Sequence, residues 1–391
     1  MPQEIDPRLS RFAANRTSRR RFIGGGAAAA AAMVLGPSFL AACGSNGGGG
    51  GGTATDEAAG NTLRISNWPL YMADGFVEEF QNATGITVDY KEDFNDNEQW
   101  FAKAKEPLSR KQDIGADLAV PTSFMAVRLH SLGWLNDISD EGVPNKKNLR
   151  PDLLEASVDP GRKFSAPYMS GMVGLAYNRA ATGRDITKIE DLWDPAFNGR
   201  VSLFSDAQDG LGMIMLSQGN TPENPTMQTI QQAVDLVREQ KDKGQIRRFT
   251  GNDYADDLAA GNIAVAQAYS GDVVQLQADN PDLRFVVPEA GGTTFVDTMI
   301  IPYTTRNQAG AETWINYVYD RPNYAKLVAF VQYVPVLSDM TDELNKIDPG
   351  LASNPLVNPP AEMLANLKSW PALTDEQTQD FNTAYAAVTG G

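Results

Sequence analysis

The stretch Leu63-Arg64-Ile65-Ser66-Asn67-Trp68-Pro69-Leu70-Tyr71 gives the first indication of the fold. Its first four residues alternate between apolar and polar side chains, which predicts a short strand. Trp68 and Tyr71 follow directly after that strand. In open α/β sheets, ligands lie beyond the carboxyl ends of the strands, so this aromatic pair is a candidate ligand platform. The alternative is that both rings only cover the edge of the sheet.

The pattern continues beyond this stretch as alternating helices and strands. Apolar residues over 76–84 recur at helical spacing, residues 86–90 alternate again, and a second helix is predicted over 98–109. The apolar run Asp117-Leu118-Ala119-Val120-Pro121 predicts a buried strand that the proline ends. The residues that follow, Thr122 to Phe124, are therefore expected on the same edge of the sheet as the aromatic pair.

A second α/β lobe is predicted between two extended segments that cross from one lobe to the other. The first segment covers 164–178, and the second begins near residue 283. About 330 residues after the first 60 are enough for two domains of about 150 residues each. Because the chain crosses twice, we predict a hinge between the lobes. The predicted boundaries are 61–167 plus about 298–335 for lobe 1, and 168–297 plus about 336–391 for lobe 2.

Residues 1–42 have the features of an export signal. Ser18-Arg19-Arg20-Arg21-Phe22 resembles a twin-arginine signal, and an apolar stretch follows it. Leu40-Ala41-Ala42-Cys43-Gly44 resembles a lipoprotein lipobox, so we expect a lipid at Cys43 that anchors the exported chain to the outer face of the cytoplasmic membrane. Residues 45–60 are glycine-rich and predict a flexible tether. The alternative is a signal anchor, although the apolar run is short for a span of about 20 residues.

The charge balance disfavours some classes of partner. The formal net charge is −16, and because six arginines and two acidic residues precede Cys43, the remainder carries −20. An acidic surface of this kind disfavours nucleic acid and anionic membrane surfaces, and it raises the local concentration of cationic ligands.

The sequence also lacks the motifs of common enzyme classes. His130 is the only histidine and is expected on a helix, at the surface or half packed. There is no Gly-x-Ser-x-Gly elbow, no zinc-type cluster of histidines and cysteines, no phosphate-binding Gly-Lys-Ser/Thr and no Asp-x-Asp-x-Asp-Gly calcium loop. We therefore predict a protein that is not an enzyme and that binds no metal or cofactor.

Six segments lie in a characteristic order and spacing between residue 62 and about residue 335. They are Asn67-Trp68-Pro69-Leu70-Tyr71, Asp117-Leu118-Ala119-Val120-Pro121-Thr122-Ser123, Asp191-Leu192-Trp193, Ser205-Asp206-Ala207, Tyr269-Ser270-Gly271-Asp272 and Phe295-Val296-Asp297. In these segments the chain resembles the polyamine-binding (spermidine/putrescine) lipoproteins and periplasmic proteins of bacterial ABC importers. The resemblance implies two α/β lobes of the periplasmic-binding-protein fold, joined by a hinge, that close on a linear cationic ligand. It also implies a membrane permease as partner, and we expect a monomer.

The resemblance implies a ligand-binding role for residues in both halves of the chain. In the first half, Trp68 and Tyr71 correspond to aromatic ligand contacts and Thr122 or Ser123 to a hydroxyl donor, while Phe124 takes a position where tyrosine is usual. The implied contacts in the second half are the acid pair Asp206 and Asp209, Tyr269 in place of a usual tryptophan, Asp272 as in putrescine-type members, Phe295 in place of another tryptophan, the central acid Asp297, and a peripheral Tyr333.

Each assigned acid also has a structural alternative. A capping box that starts at Ser205 places Asp206 and Asp209 at a helix N-terminus, where acids are favoured without any ligand. Asp272 is also explained as a turn residue. Asp297 lies inside an apolar strand, and a lone aspartate in such a run is seldom left unpaired. The ligand stays open among putrescine, spermidine and another organic cation or amino-acid derivative, and a purely structural lipoprotein is the remaining alternative.

Overall fold

The structure is a computed structural model that describes residues 61–371 and 373–390. The predicted export signal, Cys43 and the glycine-rich tether lie outside these residues. The described residues form two sheets, each with helices and a hydrophobic cluster of its own. Within the described ranges, no helix is both long enough and apolar enough to cross a membrane.

The first sheet has three parallel strands, and its helices follow the predicted spacing. The strand order is β2-β1-β3, with β1 at Thr62–Asn67, β2 at Thr87–Glu92 and β3 at Leu118–Ala119. The connecting helices are α1 (Phe76–Thr84) and α2 (Asn97–Ser109), and α3 (Ser123–Ser131) follows β3. Because β1 and β3 are parallel, the loops that carry Trp68 and Thr122 lie at one edge of the sheet, as predicted.

Local side chains and backbone fix the ends of these helices. Helix α1 ends at Gly85, whose φ of 75° lies in the left-handed region that glycine adopts without steric cost. Helix α2 begins after Asp96, whose carboxylate accepts a hydrogen bond of 2.7 Å from the backbone N–H of Gln99. Asp96 and its neighbour Asn95 are thereby held on the loop that leads from β2 into α2.

The second sheet has seven strands and mixed directions. Its order is β10-β9-β4-β7-β5-β6, and β8 also pairs with β4. Strand β4 is antiparallel to β7, β8 and β9, while β5 is parallel to β6 and β7. The bounds are β4 Ala166–Asn178, β5 Val201–Phe204, β6 Ile246–Thr250, β7 Val265–Tyr269, β8 Leu283–Val286, β9 Gly292–Met299 and β10 Leu367–Lys368.

Strands β4 and β9 are the two segments that connect the lobes. The start of β4, Ala166 to Met169, packs in the first hydrophobic cluster, and its later residues from Val173 onward pack in the second. Strand β9 runs antiparallel beside it, from Thr293 opposite Val173 to Met299 opposite Ala166. The two predicted crossing segments are therefore hydrogen-bonded to each other, which places the sequence around Phe295 and Asp297 between the lobes.

The other helices pack around these two sheets. The α-helices are α4 Pro151–Leu154, α5 Arg179–Thr182, α6 Ala207–Ser217, α7 Met227–Asp242, α8 Tyr254–Ala259, α9 Ser270–Gln277, α10 Gln308–Val318, α11 Arg321–Val331, α12 Thr341–Ile347, α13 Pro349–Ala352, α14 Ala361–Ala365 and α15 Asp375–Thr389. Short 3-10 helices cover Pro144–Asn148, Ile189–Trp193 and Pro195–Phe197.

The C-terminal part of the chain differs from the predicted division. Residues 336–391 were assigned to lobe 2 as a whole, but the buried apolar side chains from Val336 to Val357 belong to the first cluster. Phe381, Tyr385 and Val388 of α15 belong to the second cluster. The helical spacing of this segment shows which side chains are buried, but not which lobe they pack against.

Candidate functional site

A chamber lies between the two lobes, where the loops after β1 and β3 meet β9. We call it the main chamber; the space free of protein atoms there is about 320 Å³, which includes solvent at its opening. Eight of its nine lining residues are among the predicted site residues. The lining consists of Trp68, Tyr71, Thr122, Asp209, Asn252, Tyr269, Phe295, Asp297 and Tyr333.

Asp297 provides a buried carboxylate from the middle of β9. It is 5% exposed, and it accepts hydrogen bonds of 2.7 Å from the hydroxyls of Tyr71 and Thr122. Burial raises the pKa of Asp297 to about 7, and the two hydroxyl donors oppose that rise. The lining residues of the chamber include no lysine or arginine that would neutralise this carboxylate. The site therefore favours a positively charged group supplied from outside.

Asp209 provides the second carboxylate of the main chamber. It accepts a hydrogen bond of 2.7 Å from the Tyr269 hydroxyl, and burial raises its pKa to about 6. The neighbouring Asp206 is the N-cap of α6 and accepts from the backbone N–H groups of Gln208 and Asp209. The predicted capping box at Ser205 was therefore one residue early. Burial and the charge of Asp209 also raise the pKa of Asp206.

Flat aromatic rings form the walls between the carboxylates. The indole of Trp68 is only 8% exposed, and its N–H donates a 2.7 Å hydrogen bond to the carbonyl of Val120. Tyr269 stacks on Phe204 at a centroid distance of 4.5 Å, and Phe295 meets Tyr269 edge to face at 5.2 Å. These contacts hold the rings in fixed orientations before any ligand binds. Ring faces of this kind attract ammonium groups and cover methylene groups.

A second chamber continues from the main chamber and shares Trp68, Asp209 and Tyr269 with it. Its empty volume is about 240 Å³. Asp206 lines this second chamber and not the main one. Its other lining residues come from both lobes: Asn95, Asp96 and Asn97 before and within α2, and Phe204, Ser205, Thr250 and Gly251 after β5 and β6.

Three predicted site residues do not line either chamber. The hydroxyl of Ser123 donates to the carbonyl of Val296, and Phe124 packs on the first hydrophobic cluster. Asp272 lies behind the chamber wall, where it accepts hydrogen bonds from the hydroxyls of Tyr254 at 2.8 Å and Tyr333 at 2.7 Å. The hydrogen bond from Tyr333 to this carboxylate holds the Tyr333 ring against the chamber.

Four of the lining residues that sequence reasoning missed come from two loops. Asn252 lines the main chamber, while Asn95, Asp96 and Gly251 line the second. Gly251 and Asn252 follow β6, a strand that the sequence analysis did not identify because two arginines interrupt its apolar pattern. If the strand is recognised, Asn252 directly after it becomes a candidate ligand contact, by the same rule that identifies Trp68 and Thr122. In the described part of the chain, no group of three or more histidine, cysteine or acidic side chains is arranged to hold a metal ion.

Comparison with known proteins gives one family and several related structures. The family of bacterial extracellular solute-binding proteins matches residues 75–359. The chain is 29% identical over 310 residues to spermidine/putrescine-binding periplasmic protein 1 of Haemophilus influenzae, which covers 79% of this chain and 84% of the relative. It is also 29% identical over 332 residues to the putrescine-binding periplasmic protein PotF of Escherichia coli, which covers 79% of this chain and 86% of the relative.

A solved structure supports the fold independently of these sequence relatives. The spermidine/putrescine ABC transporter substrate-binding protein PotD of Streptococcus pneumoniae superposes with a TM-score of 0.70 at 24% identity, which covers 84% of this chain and 99% of that chain. At this identity the superposition informs on the fold alone. It confirms the predicted two-lobed α/β architecture.

Proposed function

Because the chain belongs to the family of bacterial extracellular solute-binding proteins, we propose that it captures a linear polyamine, putrescine or spermidine, and delivers it to the permease of an ABC importer. A member of this family is an extracytoplasmic binding protein and not an enzyme, as the sequence predicts. The observation that carries the proposal is Asp297, a carboxylate that is 5% exposed and faces a chamber with no lysine or arginine in its lining.

The chemistry of a polyamine suits the separated carboxylates and the aromatic walls. Such a molecule has ammonium groups at its ends and apolar methylene groups between them. A buried ammonium without a paired anion costs several kcal/mol, so each end requires a carboxylate. Asp297 and Asp209 lie on different segments, β9 and α6, and aromatic rings line the space around them. The relatives named for spermidine and putrescine point to the same ligand class.

We also propose that a lipid at Cys43 holds the protein on the outer face of the cytoplasmic membrane. The support is the lipobox-like sequence Leu40-Ala41-Ala42-Cys43-Gly44 and the glycine-rich residues that follow it. Metabolic labelling with a palmitate analogue in a bacterial host tests this: labelling is expected for the wild type and its absence for Cys43→Ala. Labelling of both proteins would contradict the proposal.

A thermal-shift panel tests the ligand class. Putrescine and spermidine are expected to raise the melting temperature of the leaderless protein, because a ligand that binds only the folded state stabilises it by mass action. Amino-acid derivatives, other organic cations, sugars and peptides serve as competitors. Stabilisation by an amino-acid derivative alone would favour the rival ligand class, and no stabilisation by any solute would favour a structural lipoprotein.

Replacement of Trp68 by leucine is expected to weaken polyamine binding roughly 5- to 30-fold. The change removes the ring face that attracts an ammonium, which contributes about 1–2 kcal/mol in a desolvated site. Trp193→Leu is the matched control, because Trp193 packs on the second cluster, lines neither chamber, and has an indole N–H that finds no hydrogen-bond partner among the described residues. Titration calorimetry gives both affinities; equal losses in the two variants would contradict the ring's role.

Replacement of Asp272 by asparagine is expected to weaken binding by less than about tenfold. Its carboxylate does not line a chamber, and an asparagine retains an oxygen that accepts a tyrosine hydroxyl. The melting temperature is expected to fall, since Tyr254 and Tyr333 lose a charged acceptor. A loss of affinity as large as that of an Asp297 variant would instead place Asp272 in contact with the ligand.

A further inference from the structure

The lobes contact each other beside the second chamber, at Asn95 and Gly251. Asn95 lies on the loop before α2 in the first lobe, and Gly251 follows β6 in the second. A methyl group built on Gly251 would lie 2.7 Å from the backbone carbonyl oxygen of Asn95 and 3.0 Å from its side-chain nitrogen. Contacts below 3.0 Å are essentially never made by a real Cβ atom, so an alanine does not fit in this arrangement.

The contact involves a backbone atom on each side, which makes it rigid. The nearest atom is the main-chain carbonyl oxygen of Asn95, which yields less easily than the end of a flexible side chain. The N–H of Gly251 donates a 2.9 Å hydrogen bond to the carboxylate of Asp253, which restrains the other segment. A side chain at position 251 therefore requires a shift between these two segments, which belong to opposite lobes.

The backbone conformation at position 251 gives no other reason for a glycine. Twelve described glycines have a positive φ that other residues rarely adopt, and Gly251 is not one of them. The three atoms nearest to a Cβ built at this position all belong to Asn95. The nearest obstacle to an alanine therefore lies in the other lobe.

We propose that Gly251 is a positioning residue that sets how far the two lobes close over the ligand. Asp297, Tyr71 and Thr122 face the ligand space from one side, and Asp209 and Tyr269 face it from the other. Their separation depends on lobe closure, and the absent side chain at 251 permits the observed separation. A larger residue at position 251 holds the lobes farther apart. Asp297 and Asp209 then no longer contact the two ends of the same small ligand at once.

The inference rests on the proposed function, and its test compares Gly251→Ala and Gly251→Val with the wild type. Titration calorimetry with putrescine and spermidine is expected to show binding about tenfold weaker for Gly251→Ala and weaker still for Gly251→Val. Gly350→Ala is the matched control, because Gly350 is exposed at the start of helix α13 and its added methyl meets only the side chain of the N-cap residue Asp348. The ligand-free melting temperature is expected to stay unchanged in all three variants.

A structural readout separates lobe closure from a local packing defect. Small-angle scattering is expected to show a smaller ligand-induced decrease in radius of gyration for Gly251→Ala than for the wild type at saturating ligand. Wild-type affinity in Gly251→Ala would overturn the proposal, as would a melting temperature lowered by several degrees without ligand. If the wild type binds neither amine, the proposed function fails, and the same comparison is made with the solute that stabilises the wild type.

Discussion

Asp297→Asn is expected to weaken polyamine binding by about 100-fold or more. Removing one partner from a buried ion pair costs about 3–5 kcal/mol, because the remaining charge is left without compensation. Asp297 meets this condition, since it is 5% exposed and the lining residues of the main chamber include no lysine or arginine. Asparagine has nearly the same shape and retains one oxygen for the hydroxyls of Tyr71 and Thr122. The fold is therefore expected to survive the change.

The control for this variant removes the same charge from an exposed position. Asp235→Asn lies on the solvent-exposed face of α7, where the Asp235 carboxylate accepts a hydrogen bond from Gln231 and pairs with Arg238. Titration calorimetry is expected to show wild-type affinity for this control and a large loss for Asp297→Asn. Circular dichroism and the melting temperature confirm that both variants fold. Affinity of Asp297→Asn indistinguishable from that of the wild type would remove Asp297 from the ligand site.

The affinity for polyamines is expected to fall by up to about 1,000-fold between pH 8 and pH 5. The free protein holds Asp297 with a pKa of about 7 and Asp209 with a pKa of about 6, whereas an ammonium neighbour requires both as carboxylates. At pH 5 a proton must therefore leave each group before the ligand binds. The ligand amines, which resemble lysine with a pKa near 10.4, stay charged throughout this range.

The same raised pKa values affect the stability of the ligand-free protein in the opposite direction: its free energy of unfolding decreases as pH rises. A carboxylate with a raised pKa binds its proton more tightly in the folded state than in the unfolded state, where the pKa of aspartate is about 3.9. The contribution of Asp297 and Asp209 to stability is therefore present at low pH and is lost as pH rises through about 6 to 7. Ligand binding is expected to add more stability at pH 8 than at pH 5.

Thermal unfolding with and without spermidine at pH 5, 6.5 and 8 measures both effects. The increase in melting temperature caused by the ligand is expected to grow with pH, and Asp297→Asn is expected to remove most of that growth. If the ligand raises the melting temperature by the same amount at all three pH values, the two carboxylates do not have the proposed role in binding.

Part of the site follows from the sequence because parallel strands end at one edge of a sheet. This rule is sufficient to place Trp68, Tyr71 and Thr122 together, although they lie on two separate loops. Asp297 is recognisable because an acid within an apolar strand needs a partner. Helix α6 begins at Ala207, because the side chain of Asp206, and not that of Ser205, caps it.

Other parts of the site depend on contacts between distant segments, which no local pattern records. Asp272 and Asp297 each accept hydrogen bonds from two hydroxyls, but only Asp297 also lines the main chamber. The contact between Asn95 and Gly251 joins loops from opposite lobes, and neither loop shows a periodic pattern. Strand β10, with two residues, is too short to give any alternation.

Calorimetric titration of the leaderless protein at pH 8 with putrescine and with spermidine tests the central claim most directly. We expect saturable binding of one molecule per chain, with little release of protons, because Asp297 and Asp209 are already mostly ionised at this pH. Sugars and neutral peptides are expected to give no heat. Binding of a sugar or peptide, with no heat from either amine, would contradict the account.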